Sequence, residues 1–503
     1  VSSPGGILPT TAARRPSKPA LVFGETVLTY SELDDRTRRV AGALRENGIA
    51  PGDRVSIYSQ NRWEWVVAYH GILRAGCVVN PINVMLTPEE VAFVLNDCGA
   101  SAIVASQDKA SVLLELTSDV PGLRSVFSFD EPPPGGLAFG DLMASDASPP
   151  DTAPEPKALC TIGYTSGTTG HPKGAMQSHL AVFLNCALTA TMHARTHEDT
   201  VVTALPAPHV YGNVVLNSVF MAGGTVVLME RFDPGAALAL VEEHGATLFE
   251  GVPTMYAMML AHPDVETTDL SSLTRATVGG QTIATSTMEE WEERSGAPLI
   301  ELWGMTELAG LGTTHALYGP NVHGSIGVAL PGIEVRVGGF DDQSATMPPG
   351  EPGELMVRGP IVMLGYFGNE AATAEAIEPD GWLHTGDVAV SDEDGRFFIV
   401  DRRKDMIVTA GYNVYPAEIE RVIAKHPAVA MVAVGSRLDE LKGELARAYV
   451  VLRPNGTATE EEIIDYCRPH LAAYKLPRSV AFVPDLPKTS TGKIMRRELR
   501  TLD

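Results

Sequence analysis

Along the chain the spacing of hydrophobic and polar residues changes character twice. In the first stretch, short β-rich runs alternate with amphipathic helical patterns. Residues 20–23 and 26–30 flank Gly24-Glu25, which predicts a hairpin. Ser31 followed by Asp34 predicts the cap of a helix carrying Leu33, Val40 and Leu44. Further strands are expected at 55–58, 77–80 and 102–105, with a helix opened by Thr87-Pro88-Glu89-Glu90. The same rhythm returns at 225–229, 246–250 and 275–278. Strand following helix in this order implies mainly parallel sheets covered by helices, an α/β fold.

From about Gly327 the pattern shifts to short strands at 335–337, 353–358 and 397–400, punctuated by Pro and Gly, which reads as a β-rich subdomain over about 327–400. After Asp401 comes a smaller α+β pattern. Its strands are expected near 429–434, 446–452 and 480–483, and its helix near 460–471. The Pro-rich, acidic stretch 149–156 reads as an exposed loop, and no internal repeat is visible.

Length and charge narrow the picture. The 503 residues should form two to four domains, at roughly 100–200 residues each. With 38 basic and 62 acidic residues the net charge is −24, which argues against a general nucleic-acid binder. From Asp401 onward, 17 basic against 14 acidic residues give +3, leaving −27 for the rest. A mildly basic end on an acidic body suggests a module that meets anions. Five cysteines, widely spaced and without a C-x-x-C pair, predict reduced thiols in a cytoplasmic protein. Val1–Arg15 lacks the apolar run of a signal peptide, and the longest apolar stretch, 214–229, is too interrupted to span a bilayer. The expected protein is therefore soluble, with no integral membrane segment.

One segment concentrates candidate chemistry: Tyr164-Thr165-Ser166-Gly167-Thr168-Thr169-Gly170-His171-Pro172-Lys173-Gly174. Its glycines let backbone N–H groups wrap an anion, and its hydroxyls and lysine add donors. It is a near miss to a P-loop, because Pro172 stands where glycine should precede the lysine. No Gly-x-Ser-x-Gly elbow and no H-E-x-x-H cluster occurs, so neither a serine hydrolase nor a zinc enzyme is indicated.

The 164–174 string resembles the phosphate-loop signature of the adenylate-forming superfamily, which contains acyl-CoA synthetases, luciferases and peptide-synthetase adenylation domains. Further strings of that family follow in order. They are Leu302-Trp303-Gly304-Met305-Thr306-Glu307, Gly381-Trp382-Leu383-His384-Thr385-Gly386-Asp387 and Asp401-Arg402-Arg403-Lys404-Asp405. After them come Gly411-Tyr412-Asn413-Val414-Tyr415-Pro416 and Thr489-Ser490-Thr491-Gly492-Lys493-Ile494. The resemblance implies a large N-terminal domain, 1–401, and a small mobile C-terminal domain, 402–503. It also implies a reaction in which ATP converts a carboxylate to an acyl-adenylate, releasing pyrophosphate, before a thiol takes the acyl group.

The same resemblance assigns roles. Lys493 is expected to reach the α-phosphate, Glu307 to hold Mg²⁺, and Thr306 to contact phosphate. Thr165, Ser166, Gly167, Thr168, Thr169, Gly170 and Lys173 would surround the phosphates. Gly280, Gln281, Glu301, Leu302, Trp303 and Gly304 would line the nucleotide, with Asp387 and Arg402 on the ribose. Trp303 stands where relatives often carry tyrosine. His209, Tyr211, Gly212, Met255, Tyr256, Gly279, Met305 and Ala309 would form the acyl pocket and its gate, Lys404 the hinge, and Gly411 and Tyr412 the coenzyme A tunnel.

Between Leu205 and Leu216 no residue is charged at neutral pH, which disfavours a free amino acid as substrate. The apolar set suits an alkyl or aryl chain. A medium- or long-chain fatty acid stands first and an aryl acid of the coumarate or benzoate type second. Coenzyme A is the expected thiol, since no carrier domain follows Asp503; transfer to a carrier protein is the near alternative. A non-catalytic nucleotide-binding protein is the third, opposed by the presence of both Glu307 and Lys493. A homodimer stays open.

Overall fold

The computed structural model describes residues 3–149, 153–165, 172–340, 342–409, 412–439, 443–454, 456–487 and 494–502. Packing divides the chain into two compact units, Val1–Val335 with Val357–Leu383, and Arg336–Met356 with His384–Asp503.

The first unit is built on two large mixed sheets. In one, the strands Leu299–Met305, Arg275–Val278, Leu248–Gly251, Thr200–Thr203, Thr225–Leu228 and Pro19–Phe23 lie side by side in that order, all parallel. Their residues are buried almost without alternation because helices cover both faces. Thr26–Thr29 closes one edge as the predicted hairpin, antiparallel to Pro19–Phe23. The second sheet centres on Arg54–Tyr58, flanked in parallel by Val78–Pro81 and Ala100–Ala105. It continues through Leu159–Thr165 to the antiparallel Lys173–Ser178. Trp291, Tyr256 and Phe249 pack edge to face and tilted at the centre of one core cluster.

Helix starts follow local chemistry. Thr87 and Glu90 form a capping box ahead of Pro88–Asp97, as their spacing predicts. The helix Tyr30–Glu46 corrects the expected cap. Thr29, not Ser31, is the N-cap: its Oγ1 accepts from the Glu32 N–H while Glu32 bonds back to the Thr29 N–H. Burial decides this. Tyr30 begins the helix so that its hydroxyl can donate to the Gly224 carbonyl at 2.6 Å inside the core.

The second unit holds most of a four-stranded antiparallel-edged sheet, including Gly353–Arg358, Leu383–Ser391 and Phe397–Arg402. It also holds a sheet built on the long pair Val429–Asp439 and Gly443–Leu452, with Ser479–Phe482 parallel to the latter. Pro416–Ile423 and Glu460–Cys467 bury Ile419, Ile423, Ile463 and Cys467 against it. All five cysteines are buried thiols. Among the described residues no helix is long and apolar enough to cross a membrane.

Candidate active site

The strand Leu299–Met305 ends in a tight reversal into Gly310–Thr314, and the reversal explains the composition of 303–310. A Cβ on Gly304 would lie 2.1 Å from the Gly310 carbonyl oxygen, so only glycine permits the close pairing there. Thr306–Leu308 forms one 3₁₀ turn, closed by Ala309 at φ 56° with its N–H on the Thr306 carbonyl at 3.1 Å. This left-handed alanine is costly and marks a constrained turn. The turn carries Thr306 and the buried Glu307.

Three neighbours fix that turn. Gln177 donates through Nε2 to the Thr306 carbonyl at 2.9 Å. The Met363 N–H donates to the Glu307 carbonyl at 2.8 Å. Tyr366 donates its hydroxyl to Glu307 Oε1 at 2.8 Å. Gln177 belongs to the strand that leaves the glycine-rich loop, and Tyr366 to a two-residue strand paired with it at Ala175. A Cβ on Gly163 would meet the Thr306 methyl at 2.6 Å, so the strand entering the loop also passes directly by Thr306. Lys173 lies with Nζ 5.2 Å from the Tyr366 ring centroid. At the loop's other end, Tyr164 donates to Asp97 at 2.5 Å. The structure thus brings Thr165, Lys173, Thr306 and Glu307 to one locality, while Ser166, Gly167, Thr168, Thr169 and Gly170 lie outside the described residues.

The expected nucleotide-lining residues lie on, or just after, the adjacent parallel strands Arg275–Val278 and Leu299–Met305. Leu302 and Trp303 are buried and Gly304 is exposed; Gly279 is buried and Gly280, at φ 85°, exposed. Gln281 is half-buried. Glu301 is only 4% exposed, and its Oε2 accepts the Gly324 N–H at 2.8 Å. Burial pushes its carboxyl up to about 7, against the opposing pull of that hydrogen bond.

Among the residues expected to form the acyl pocket, His209 caps the helix Val210–Ala222, its Nδ1 accepting the Tyr211 N–H at 3.2 Å. Tyr211 is buried, with its hydroxyl 2.7 Å from Thr277 Oγ1. Thr277 donates its one hydroxyl proton to Glu250 at 2.9 Å, so Tyr211 must be the donor in its own bond to Thr277. Glu250 pairs with Arg195 at 2.5 Å, both side chains fully excluded from water. Gly212 and Ala309 are buried and Met305 half-buried. Met255 is nearly buried, and Tyr256 is fully so, bonding the Thr277 and Phe249 carbonyls. Met258 on the same helix is 49% exposed and turns away from them.

In the second unit, Asp387 and Arg402 are register partners on adjacent strands, with Nε 3.2 Å from Oδ1. Lys404 is exposed on the turn Arg403–Asp405. Tyr412 is stacked on Tyr474, centroids 4.8 Å apart, with Lys475 Nζ 5.8 Å from the Tyr474 ring. Gly411 and Lys493 lie outside the described residues. Arg496 is mostly buried. Its guanidinium meets Glu420 at 2.7 Å, Asp405 at 3.1 Å and Asp401 at 3.2 Å. Asp401 also accepts the Ala417 N–H at 2.7 Å. Burial raises the Asp401 and Glu420 carboxyls, and Arg496 opposes the rise in both.

Tyr366, Gln177, Tyr474 and Arg496 escaped the sequence reading because each gains its meaning from a partner distant in the chain. Among the described residues no cluster of three or more metal-ligating side chains exists. Glu307 fits Mg²⁺ in the other way such ions are held, by one hard carboxylate oxygen donor with phosphate oxygens and water completing the shell.

The chain matches the AMP-binding enzyme family over residues 8–367 and the AMP-binding enzyme C-terminal domain over residues 418–493. It is 37% identical over 498 residues to a feruloyl-CoA synthase from an Amycolatopsis species, covering 98% of both chains. It is 36% identical to a long-chain-fatty-acid–CoA ligase of Escherichia coli O6:H1, covering 97% of this chain and 92% of that one. ATP-bound MatB from Rhodopseudomonas palustris is similar with a TM-score of 0.90 at 31% identity, over 99% of this chain and 98% of that one. The anthranilate CoA ligase AuaEII in complex with anthranoyl-AMP gives 0.91 at 28% identity, over 99% and 97%.

Proposed function

The chain belongs to the AMP-binding enzyme family and is an AMP-forming acid–thiol ligase of the acyl- or aryl-CoA synthetase type; from that premise we propose that its acid is compact and aromatic. The observation that carries this reading is the relay behind Tyr211. A long alkyl tail running past that ring would meet Thr277 and then the sealed Glu250–Arg195 pair, where apolar matter gains nothing. A ring that stops against Tyr211 avoids the conflict. The sequence alone placed a fatty acid first, and a medium- or long-chain acid remains the second reading, supported by the E. coli relative.

In this reading Lys173 and the glycine-rich loop hold the ATP phosphates. Thr306 adds a donor, Asp387 and Arg402 take the ribose, and Glu307 would hold Mg²⁺. That ion, when bound, neutralises phosphate charge. A carboxylate oxygen of the acid forms a bond to the α-phosphorus as the bond to pyrophosphate breaks, with Lys493 supplying positive charge there. The small domain, 402–503, then turns about Lys404. The thiolate sulfur of coenzyme A attacks the acyl carbon, and the acyl–oxygen bond to AMP breaks. The exposed Tyr412–Tyr474 stack and Lys475 suit the nucleotide end of coenzyme A.

Pyrophosphate release with and without coenzyme A, measured for ferulate, benzoate, octanoate and palmitate, tests the reading. An aryl acid should exceed palmitate in kcat/KM by roughly tenfold or more, the range that pocket shape alone can supply. Preference for palmitate would overturn the aromatic assignment and favour the alkyl one.

A further inference from the structure

Glu307 is the single carboxylate on its turn, and a lone carboxylate on a flexible side chain is a poor metal ligand unless something fixes its rotamer. Tyr366 is placed to do so. Its hydroxyl reaches Glu307 Oε1 at 2.8 Å, and its ring carries Lys173 at 5.2 Å. The tyrosine is itself held. Gly365–Tyr366 pairs with Met176 and Ala175, the Tyr366 N–H donates to Thr373 Oγ1 at 2.8 Å, and the Phe367 N–H donates to the Gly174 carbonyl at 2.8 Å. One side chain, anchored on the strand that leaves the phosphate loop, thus touches both the loop's lysine and the turn's carboxylate.

We propose that Tyr366 is a positioning residue of the adenylation step, its hydroxyl orienting Glu307 toward the metal and its ring seating Lys173 toward the phosphates. The inference rests on the reading that Glu307 and Lys173 serve metal-bound ATP. Its chemistry is divisible. The hydroxyl can only donate to an ionised carboxylate, and so fixes the direction of the oxygen it touches. The ring face attracts the ammonium without competing for it as a phosphate ligand, because an aromatic face offers no proton acceptor of comparable strength.

Two substitutions separate the halves. Tyr366→Phe removes only the hydroxyl. Mn²⁺ binding in the presence of α,β-methylene-ATP, followed by electron paramagnetic resonance, should weaken by about tenfold, the lower end for loss of such a supporting hydrogen bond. Metal-free nucleotide affinity should hold, and preformed acyl-AMP should react with coenzyme A at the wild-type rate. Tyr366→Leu removes the ring as well, and should in addition raise the KM for ATP. In a Lys173→Met background the Phe and Leu variants should become alike in that KM. Wild-type Mn²⁺ affinity in Tyr366→Phe, with or without a fall in Tm, overturns the proposal, since the hydroxyl would then serve the fold alone. If the wild-type enzyme itself binds no Mn²⁺ with the nucleotide, the assignment of Glu307 fails first, and this inference with it.

Discussion

Two arginines meet buried carboxylates in opposite ways. Arg195 faces one partner, Glu250, with both side chains sealed from water beneath Tyr211. Arg496 faces three, keeps 22% of its side chain exposed, and its partners stand on both sides of Lys404 in sequence. The first arrangement has nothing to rearrange toward. It is a fixed support, linked by Thr277 to the wall of the proposed acyl site. The second joins the strand Phe397–Arg402 to the helix Pro416–Ile423 and to the segment just after Lys493. Any pivot at Lys404 must exchange the Asp401 contacts while those to Asp405 and Glu420 can travel with the guanidinium. Losing one member of a sealed pair leaves the other charge buried and uncompensated, whereas a shared, partly exposed arginine keeps other partners when one is lost.

The largest expected effect breaks the functional side of this contrast. Lys493 lies three residues before Arg496. An ammonium about 4 Å from a charge at an effective dielectric of about 20 is worth roughly 4 kcal/mol. Lys493→Ala should therefore slow adenylation by roughly two to four decades, at one decade per ~1.4 kcal/mol. Thioester formation from preformed acyl-AMP should persist. Lys488→Ala is the charge control, and equal losses in the two variants would refute the assignment.

The static side should show in stability instead. Glu250→Ala leaves Arg195 buried without its partner and should cost about 3–5 kcal/mol in denaturant unfolding. The double variant Arg195→Met, Glu250→Leu should recover much of that loss. If the single change costs less than 1 kcal/mol, on the scale of an exposed pair, the pair is not a sealed support.

Glu301 offers a third way to bury a carboxylate, against a backbone N–H. Its folded value, about 7, exceeds the ordinary 4.5. The folded state therefore holds this proton more tightly than the unfolded one. The associated stability is complete below pH 4.5 and is lost as pH rises through about 7. The loss amounts to roughly 3–4 kcal/mol, from ~1.4 kcal/mol per pKa unit. Glu301→Gln should flatten that slope, as read from unfolding free energy between pH 5 and 8. An unchanged slope would show that other groups set it.

The smallest effect tests the proposed pivot. Arg496→Met should slow adenylation about tenfold more than thioester formation, a difference of ~1.4 kcal/mol in barrier, with Arg496→Lys in between. Lys404→Pro should do the reverse by stiffening the pivot. Equal damage to both steps in either variant would remove the link between the cluster and domain turning.

Much of this protein is written locally in its sequence. The strands Arg275–Val278 and Gly353–Arg358 fall where the β-rich runs place them, and Thr87 with Glu90 announces its helix, because period and capping act over a few residues. The ordered motifs from Tyr164 to Lys493 led to the family for a related reason: a loop that wraps phosphates must keep its glycines and hydroxyls contiguous. Tertiary structure decided the rest. Thr29 displaced Ser31 as a cap once Tyr30 was buried on Gly224. Tyr366 became a neighbour of Glu307 across 59 positions, and Arg496 of Asp401 across 95. Hydrophobic periodicity says which face of an element is buried, but not which polar groups meet there. Those pairings depend on strand order and register, which only the assembled sheets define.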